Sequence, residues 1–453
     1  MGHSAEALQA SFGVKLRHEM AGSFDARKKT VVPSPATMLR PWVLLRSVTR
    51  HPFIFKRMIR SADEGARPGE VVHVYDKSGM LFGQALYNPR SQIALRMLTY
   101  GAERADEAFW RGAIARAVDL RRRLNLDDVT DAYRVIHAEG DGLSGLIAER
   151  YADWLVFEFF SRGMYAQREM LARELSAALG APASLDRPGR AGASWRVVFR
   201  ADSGVEMAED FRVGEPRAVE VVGGELKPLA ATTGESRGGS SAIIREHGVR
   251  YRVDMTGGHK TGFFCDQRDN RLKLSRLCRD ANVLDLCCYT AAFGLCARVL
   301  GGARDVTSVD LDEAALAVAK ENVNLNSARV NLVHSDAFIY LRQLIANGKK
   351  FDVVVCDPPK LARSREELDD ALRKYYDLNG LSMQVVAPGG ILLTCSCSGL
   401  VDRPTFRETV ERAARPAKRS IQWLDWSGPG ADHPVMPNCP ESAYLKAAWV
   451  RVL

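Results

Sequence analysis

At 453 residues, 46% of them hydrophobic and 26% charged, the chain is too long for one ordinary core and too apolar to be disordered or fibrous. Its net charge of +8 is carried by the front end: residues 1–60 hold eleven Lys/Arg against three acids, which points to a polyanionic partner. All nine cysteines lie at or beyond Cys265 and none forms a CxxC pair, which argues against a disulfide framework or a zinc site.

Residues 1–37 show no sustained periodicity and read as a basic extension without a secretory signal. Short strands follow. Glu70–Tyr75 and Met80–Leu86 flank the turn Asp76-Lys77-Ser78-Gly79 and read as a hairpin in a small β-barrel. Within that region Arg50, His51, Lys56 and Arg57 interleave with Phe53 and Phe55, a pattern that suits phosphate contact and base stacking. Residues 107–126 read as a helix with a basic end at Arg121, Arg122 and Arg123. A central α+β segment runs on to Val222, and the glycines of Ala138–Gly145 mark a structural turn. Val221 to Ser241, rich in Gly, Thr and Ser, reads as a linker.

Beyond residue 240 short apolar runs alternate with helices. The runs are Asn282–Leu286, Asp305–Val309, Asp352–Cys356 and Gly390–Thr394, with helices expected at Glu313–Asn326 and Glu366–Val386. This is the pattern of a mostly parallel, doubly wound sheet, whose ligands sit at the carboxyl ends of the strands. The exits carry suitable groups in order: Asp285 with the small-residue loop through Tyr289, Thr290, Ala291 and Phe293; Asp310 for ribose hydroxyls; Asp336, Ala337 and Phe338 for an adenine ring; Asp357 and Pro358 in a stiff loop. A nicotinamide enzyme would place G-x-G-x-x-G at the first exit, and this loop lacks it. The fifth strand brings Cys395 and Cys397 to the same edge, and alternation alone does not choose between them.

From about residue 38 onward the chain resembles the bacterial ribosomal RNA large-subunit methyltransferases that form 5-methylcytosine. The resemblance rests on Arg50-His51-Pro52 through Lys56, Glu139–Leu143, the run His259–Arg271, Asp357-Pro358-Pro359-Lys360, Ser396-Cys397-Ser398-Gly399, and Asp432-His433-Pro434 with Tyr444-Leu445-Lys446. It implies an α/β protein with a Rossmann-like class I methyltransferase sheet at the C-terminus, preceded by a PUA-like β-barrel and a central RRM-like α+β domain. The expected divisions are 1–37, 38–113, 114–222, a linker at 223–242, and 243–453. It further implies S-adenosylmethionine (SAM) as cofactor and large-subunit ribosomal RNA as partner, with scope for a homodimer. The residues themselves point to a cytoplasmic location, through cysteines without a disulfide framework, and to no metal. They also point to no membrane span, since the uncharged stretch Leu378–Val401 is broken by Pro388-Gly389-Gly390.

On this resemblance the single Ser-Cys-Ser cysteine falls on Cys397, the nucleophile, with Asp357 beside the cytosine. Gln267, Arg268 and Leu311 complete the expected cofactor set, and Lys360 joins the RNA contacts. The family carries glycine where this loop has Ala291 and Ala292, so a positive φ there strains alanine and the Ala291 methyl is expected to press on the cofactor. A guanine-directed relative, which needs no cysteine at the fifth strand, and a catalytically weakened RNA-binding member are the competing readings.

Overall fold

The computed structural model describes residues 37–182, 194–214, 218–229, 240–255, 262–362 and 364–453. The extension before residue 37 therefore lies outside the described residues, as do His259, Lys260 and Thr261 of the long motif. Among the described residues no helix is long and apolar enough to cross a membrane.

The first six strands are β1 (Trp42–Leu45), β2 (Phe53–Phe55), β3 (Ile59–Ala62), β4 (Val71–Tyr75), β5 (Leu81–Tyr87) and β6 (Ile93–Tyr100). They form one sheet in the order β2-β6-β5-β4-β1-β3 around Val43, Leu45, Ile54, Val72, Val74 and Leu95. The β4–β5 hairpin is the one expected, and Asp76 shapes its turn by accepting from the Ser78 and Met80 amides at 2.8 and 3.0 Å.

Helix α1 (Glu107–Arg123) begins at Asp106, whose carboxylate accepts from the Ala108 and Phe109 amides. Trp110, Ala113, Ile114, Ala117 and Val118 form its apolar stripe and pack on the central sheet, so the division expected at 113/114 falls inside this helix. Arg121 does not belong to a basic surface. It is 2% exposed, and Asp141 takes its guanidinium in a two-pronged pair at 2.6 and 2.8 Å.

The central domain contains β7 (Ala132–His137), β8 (Leu146–Tyr151), β9 (Trp154–Phe159), α2 (Arg162–Ala166), α3 (Arg168–Leu179), β10 (Trp195–Arg200), α4 (Ser203–Glu209), β11 (Ala218–Val222) and β12 (Glu225–Pro228). Its sheet runs β12-β11-β10-β9-β8-β7. Strand β12 corrects the linker expected at 223–242. Gly223 and Gly224, both at positive φ, turn β11 back into it and extend the sheet by one strand. The turn at 138–145 is structural, as read from its glycines. A Cβ on Gly140 would lie 2.1 Å from the Pro434 carbonyl oxygen, so only glycine lets the C-terminal segment approach there.

A hairpin of β13 (Ser241–Glu246) and β14 (Val249–Asp254) joins the two larger units. Its Ile244, Val249, Tyr251 and Val253 share one apolar cluster with Trp154 and Val156 on one side and Leu295 on the other.

The C-terminal domain follows as α5 (Arg268–Ser275), β15 (Asn282–Leu286), α6 (Ala292–Val299), β16 (Asp305–Asp310), α7 (Glu313–Leu325), β17 (Asn331–His334), α8 (Ala337–Ala346), β18 (Phe351–Cys356), α9 (Leu368–Val385), β19 (Val386–Ser396), α10 (Arg403–Ala414), β20 (Ile421–Ser427) and β21 (Lys446–Val452). The sheet order is β17-β16-β15-β18-β19-β21-β20, parallel except for β21. Separate apolar cores on its two faces explain why the middle strands are uninterrupted apolar runs. The chain builds outward from β15 to β17, then returns to the other side of β15 as β18. The crevice between those halves is where such sheets bind ligands.

Candidate active site

The loop leaving β15 turns sharply. Cys287, Tyr289 and Ala291 all adopt positive φ (58°, 51° and 61°), an alternation that folds the backbone tightly before α6. Asp310, at the end of β16, braces it by accepting from the Tyr289 amide at 2.7 Å and from the Asp312 amide at 2.9 Å through its other oxygen. Each of those oxygens keeps a second lone pair, which suits a pair of ribose hydroxyls.

Asp285 is 1% exposed and accepts from the Gly294 amide (2.9 Å) and the Ser308 hydroxyl (3.2 Å) through one oxygen. Its other oxygen is buried with no hydrogen-bond partner, so an acceptor remains for a donor from a bound ligand. Burial pushes the Asp285 carboxyl up to about 7, against the Gly294 and Ser308 hydrogen bonds that favour the charged form. This acceptor and the Asp310 cradle fit SAM, with its ammonium and its ribose.

At the exit of β18, Asp357 is half-buried and accepts from Gln267 Nε2 at 3.0 Å. Asn270 orients that amide by donating to Gln267 Oε1 at 2.6 Å. Pro358 is buried, while Pro359 and Lys360 are exposed. At the exit of β19, Cys395 is fully buried within the strand, whereas Cys397 lies just past its last residue and is half-buried. Burial, then the nearby Asp357 carboxylate, pushes the Cys395 thiol well above its ordinary value. A low-pKa nucleophile is not to be found there. The two loops are joined by Ser398, whose hydroxyl accepts from the Ala362 amide at 3.2 Å and lies 3.2 Å from the Tyr375 hydroxyl.

Of the expected ligand contacts, Arg268 and Phe293 are corrected by their burial. Arg268 is 2% exposed and its guanidinium is taken by Asp432 at 2.8 and 3.2 Å, so it braces the fold instead of meeting cofactor. Phe293 packs in the core beside Val283 and Val306. Leu311 is 65% exposed. Thr290 is buried, and its carbonyl accepts from Asn322. Asp336 caps α8 by accepting from the Ile339 amide, leaving half-buried Ala337 and Phe338 behind it.

Among the expected RNA contacts, Arg50, Lys56 and Arg57 are exposed. His51 instead spans two domains, its Nε2 lying 3.1 Å from Glu441, while Asn438 and Tyr100 both donate to the Arg50 carbonyl. Cys439 completes a His-Cys-Glu cluster with these two residues. His51 Nδ1 accepts from the Phe53 amide, so Nε2 carries the proton and has no lone pair to offer a metal. Reading by motif missed Lys446, Tyr375 and Asn270. Asn270 and Lys446 lie in the runs His259–Arg271 and Tyr444-Leu445-Lys446, which carried the only local signal for them, and Tyr375 had none.

Ala291 is fully buried, and its methyl packs with Cys288, Leu316 and Ala319, not toward the crevice. Ala291→Gly should therefore relieve about 1 kcal/mol of left-handed strain and lose about 0.8 kcal/mol of methyl burial. Chemical denaturation should register a net change below about 1 kcal/mol, and titration calorimetry an unchanged SAM affinity. A tenfold tighter SAM complex would place the methyl against the cofactor.

The sheet order and the crevice define a class I SAM-dependent methyltransferase, and residues 231–451 match the family model for S-adenosylmethionine-dependent methyltransferases. Residues 46–100 match that for PUA-like domains. The chain is 37% identical over 408 residues to ribosomal RNA large subunit methyltransferase I of Cronobacter sakazakii, covering 89% of this chain and 96% of that protein. The same-named protein of Vibrio cholerae is 37% identical over 411 residues, with the same coverage. The chain belongs to the ribosomal RNA large subunit methyltransferase I family. A SAM-dependent methyltransferase structure from Streptococcus mutans shares the fold (TM-score 0.70, 19% identity, 91% of this chain and 100% of that one). So does SMU.776, solved with SAH (TM-score 0.71, 20% identity, 91% and 100%).

Proposed function

We propose that the chain methylates carbon 5 of a cytosine in large-subunit ribosomal RNA, with Cys397 as the nucleophile. The observation that carries this reading is the half-buried Cys397 beside the Asp357 loop, one strand away from the crevice that suits SAM. The relatives named for large-subunit ribosomal RNA support the substrate, as do the PUA-like match and exposed Arg50, Lys56, Arg57 and Lys360.

In this reading the Cys397 thiolate adds to carbon 6, and the electron pair released toward carbon 5 makes that carbon nucleophilic. SAM supplies the electrophilic methyl group. Asp357, held by Gln267, accepts from the cytosine amino group and fixes the ring over the crevice. A base then removes the carbon-5 proton, and its electron pair expels the thiolate. The test is nucleoside mass spectrometry after incubating unmodified large-subunit ribosomal RNA with the protein and SAM. A gain of one methyl on cytidine at carbon 5 is expected; a methylated guanosine overturns the reading.

A further inference from the structure

Lys446 is only 6% exposed, unusual for a lysine, and begins β21 opposite Ser396. Its ammonium donates to the Ser398 carbonyl at 2.6 Å and the Tyr444 carbonyl at 2.7 Å. Two of its three donors are thus spent on backbone either side of the site, one of them on the residue that follows Cys397. A buried ammonium is costly unless a negative group offsets it. The acidic groups coupled to it are Cys397 and Asp402, with Lys360 opposing. Other titratable groups that face this corner include Tyr375, which couples to Cys397, and Asp357 and Cys356, which disfavour a thiolate at Cys395. Among the described residues Lys446 is a buried cation of this corner whose backbone bonds hold it beside the Cys397 turn, and Lys360 is an exposed one.

We propose that Lys446 is a positioning residue that holds Cys397 as the reactive thiolate and fixes the Ser396–Ser398 turn on which that thiolate is presented. The proposal rests on the assignment of Cys397 as nucleophile and names what activates it. Burial lowers the Lys446 ammonium to about 8, while the Cys397 charge pulls it back up. The cation is therefore present at neutral pH and is lost as the pH rises through about 8. Thiolate stabilisation by Lys446 is accordingly strongest below that pH.

The test is the rate of iodoacetamide alkylation at Cys397 in the full chain as a function of pH, read peptide by peptide in the mass spectrometer. In the native protein the inflection should fall below the ordinary thiol value of about 8.5. Lys446→Met should raise it by at least one unit, a tenfold or greater loss of rate near pH 7, and Lys446→Arg should restore most of it. A native inflection at or above about 8.5 overturns the proposal whether or not the variants fold. So does an unmoved inflection in a folded Lys446→Met protein. Alkylation needs neither RNA nor SAM, so a product other than 5-methylcytosine would sink the proposed function and leave this result standing.

Discussion

Cys397→Ala is expected to lower methyl transfer by at least about a thousandfold, and to abolish any covalent RNA complex, while leaving the fold intact. The complex is best read with RNA carrying 5-fluorocytidine, because fluorine at carbon 5 leaves no proton to remove and the thiolate cannot depart. Cys395→Ala is the informative control. That sulfur is fully buried, in a cluster with Leu393, Ala447 and Trp449. Its removal should cost on the order of 1 kcal/mol of stability and leave the adduct in place. Trapping that survives in Cys397→Ala and vanishes in Cys395→Ala would reverse the assignment. Trapping in neither native nor variant protein, with methylation intact, would remove the covalent step.

The sequence left that choice open for a physical reason. Period-two alternation holds only inside a strand, and β19 stops at Ser396, so Cys397 is released from the face that Cys395 must share. The strands of the parallel centre were legible because both faces are covered, which makes Val353–Cys356 or Val283–Leu286 a continuous apolar run. Strand β20 was not, since Asp425 interrupts it and its exposure is mixed. Strand β12 was read as linker although Gly223-Gly224 is a hairpin signal, because the Thr, Ser and Gly that follow outweighed it. The acids Asp285, Asp310 and Asp357 were legible because each stands at or next to the carboxyl end of its strand. Arg268 was misassigned because its partner Asp432 lies 164 residues away, and no local pattern announces such a pair.

That pair anchors a clasp whose loss should be the most destabilising single change outside the site. Asp432 is fully buried. Its carboxylate accepts from Arg268 at 2.8 and 3.2 Å and from the Arg134 amide at 3.0 Å, and its carbonyl accepts from Arg121 at 2.6 Å. One residue of the C-terminal segment thereby ties α5 to α1 and β7 of the preceding units. Burial alone would raise the Asp432 carboxyl, but His433 and Arg268 outweigh it and hold the group well below its ordinary value. Its folded value being depressed, the stabilisation is present above the unfolded value near 4 and is lost as pH falls. Asp432→Ala strands the Arg268 guanidinium and the Arg134 amide in the interior, and should cost about 3–5 kcal/mol at neutral pH. Calorimetry should show the melting temperature lower by roughly 10 °C, with the gap to the native protein narrowing in acid as native Asp432 is protonated. The active site should feel the change through Gln267, the neighbour of Arg268, which holds Asp357. Methyl transfer at a temperature where the variant is still folded should fall in kcat more than in KM for RNA. A loss under about 1 kcal/mol, independent of pH, would mean that water replaces the carboxylate and that the three units are held together without this clasp.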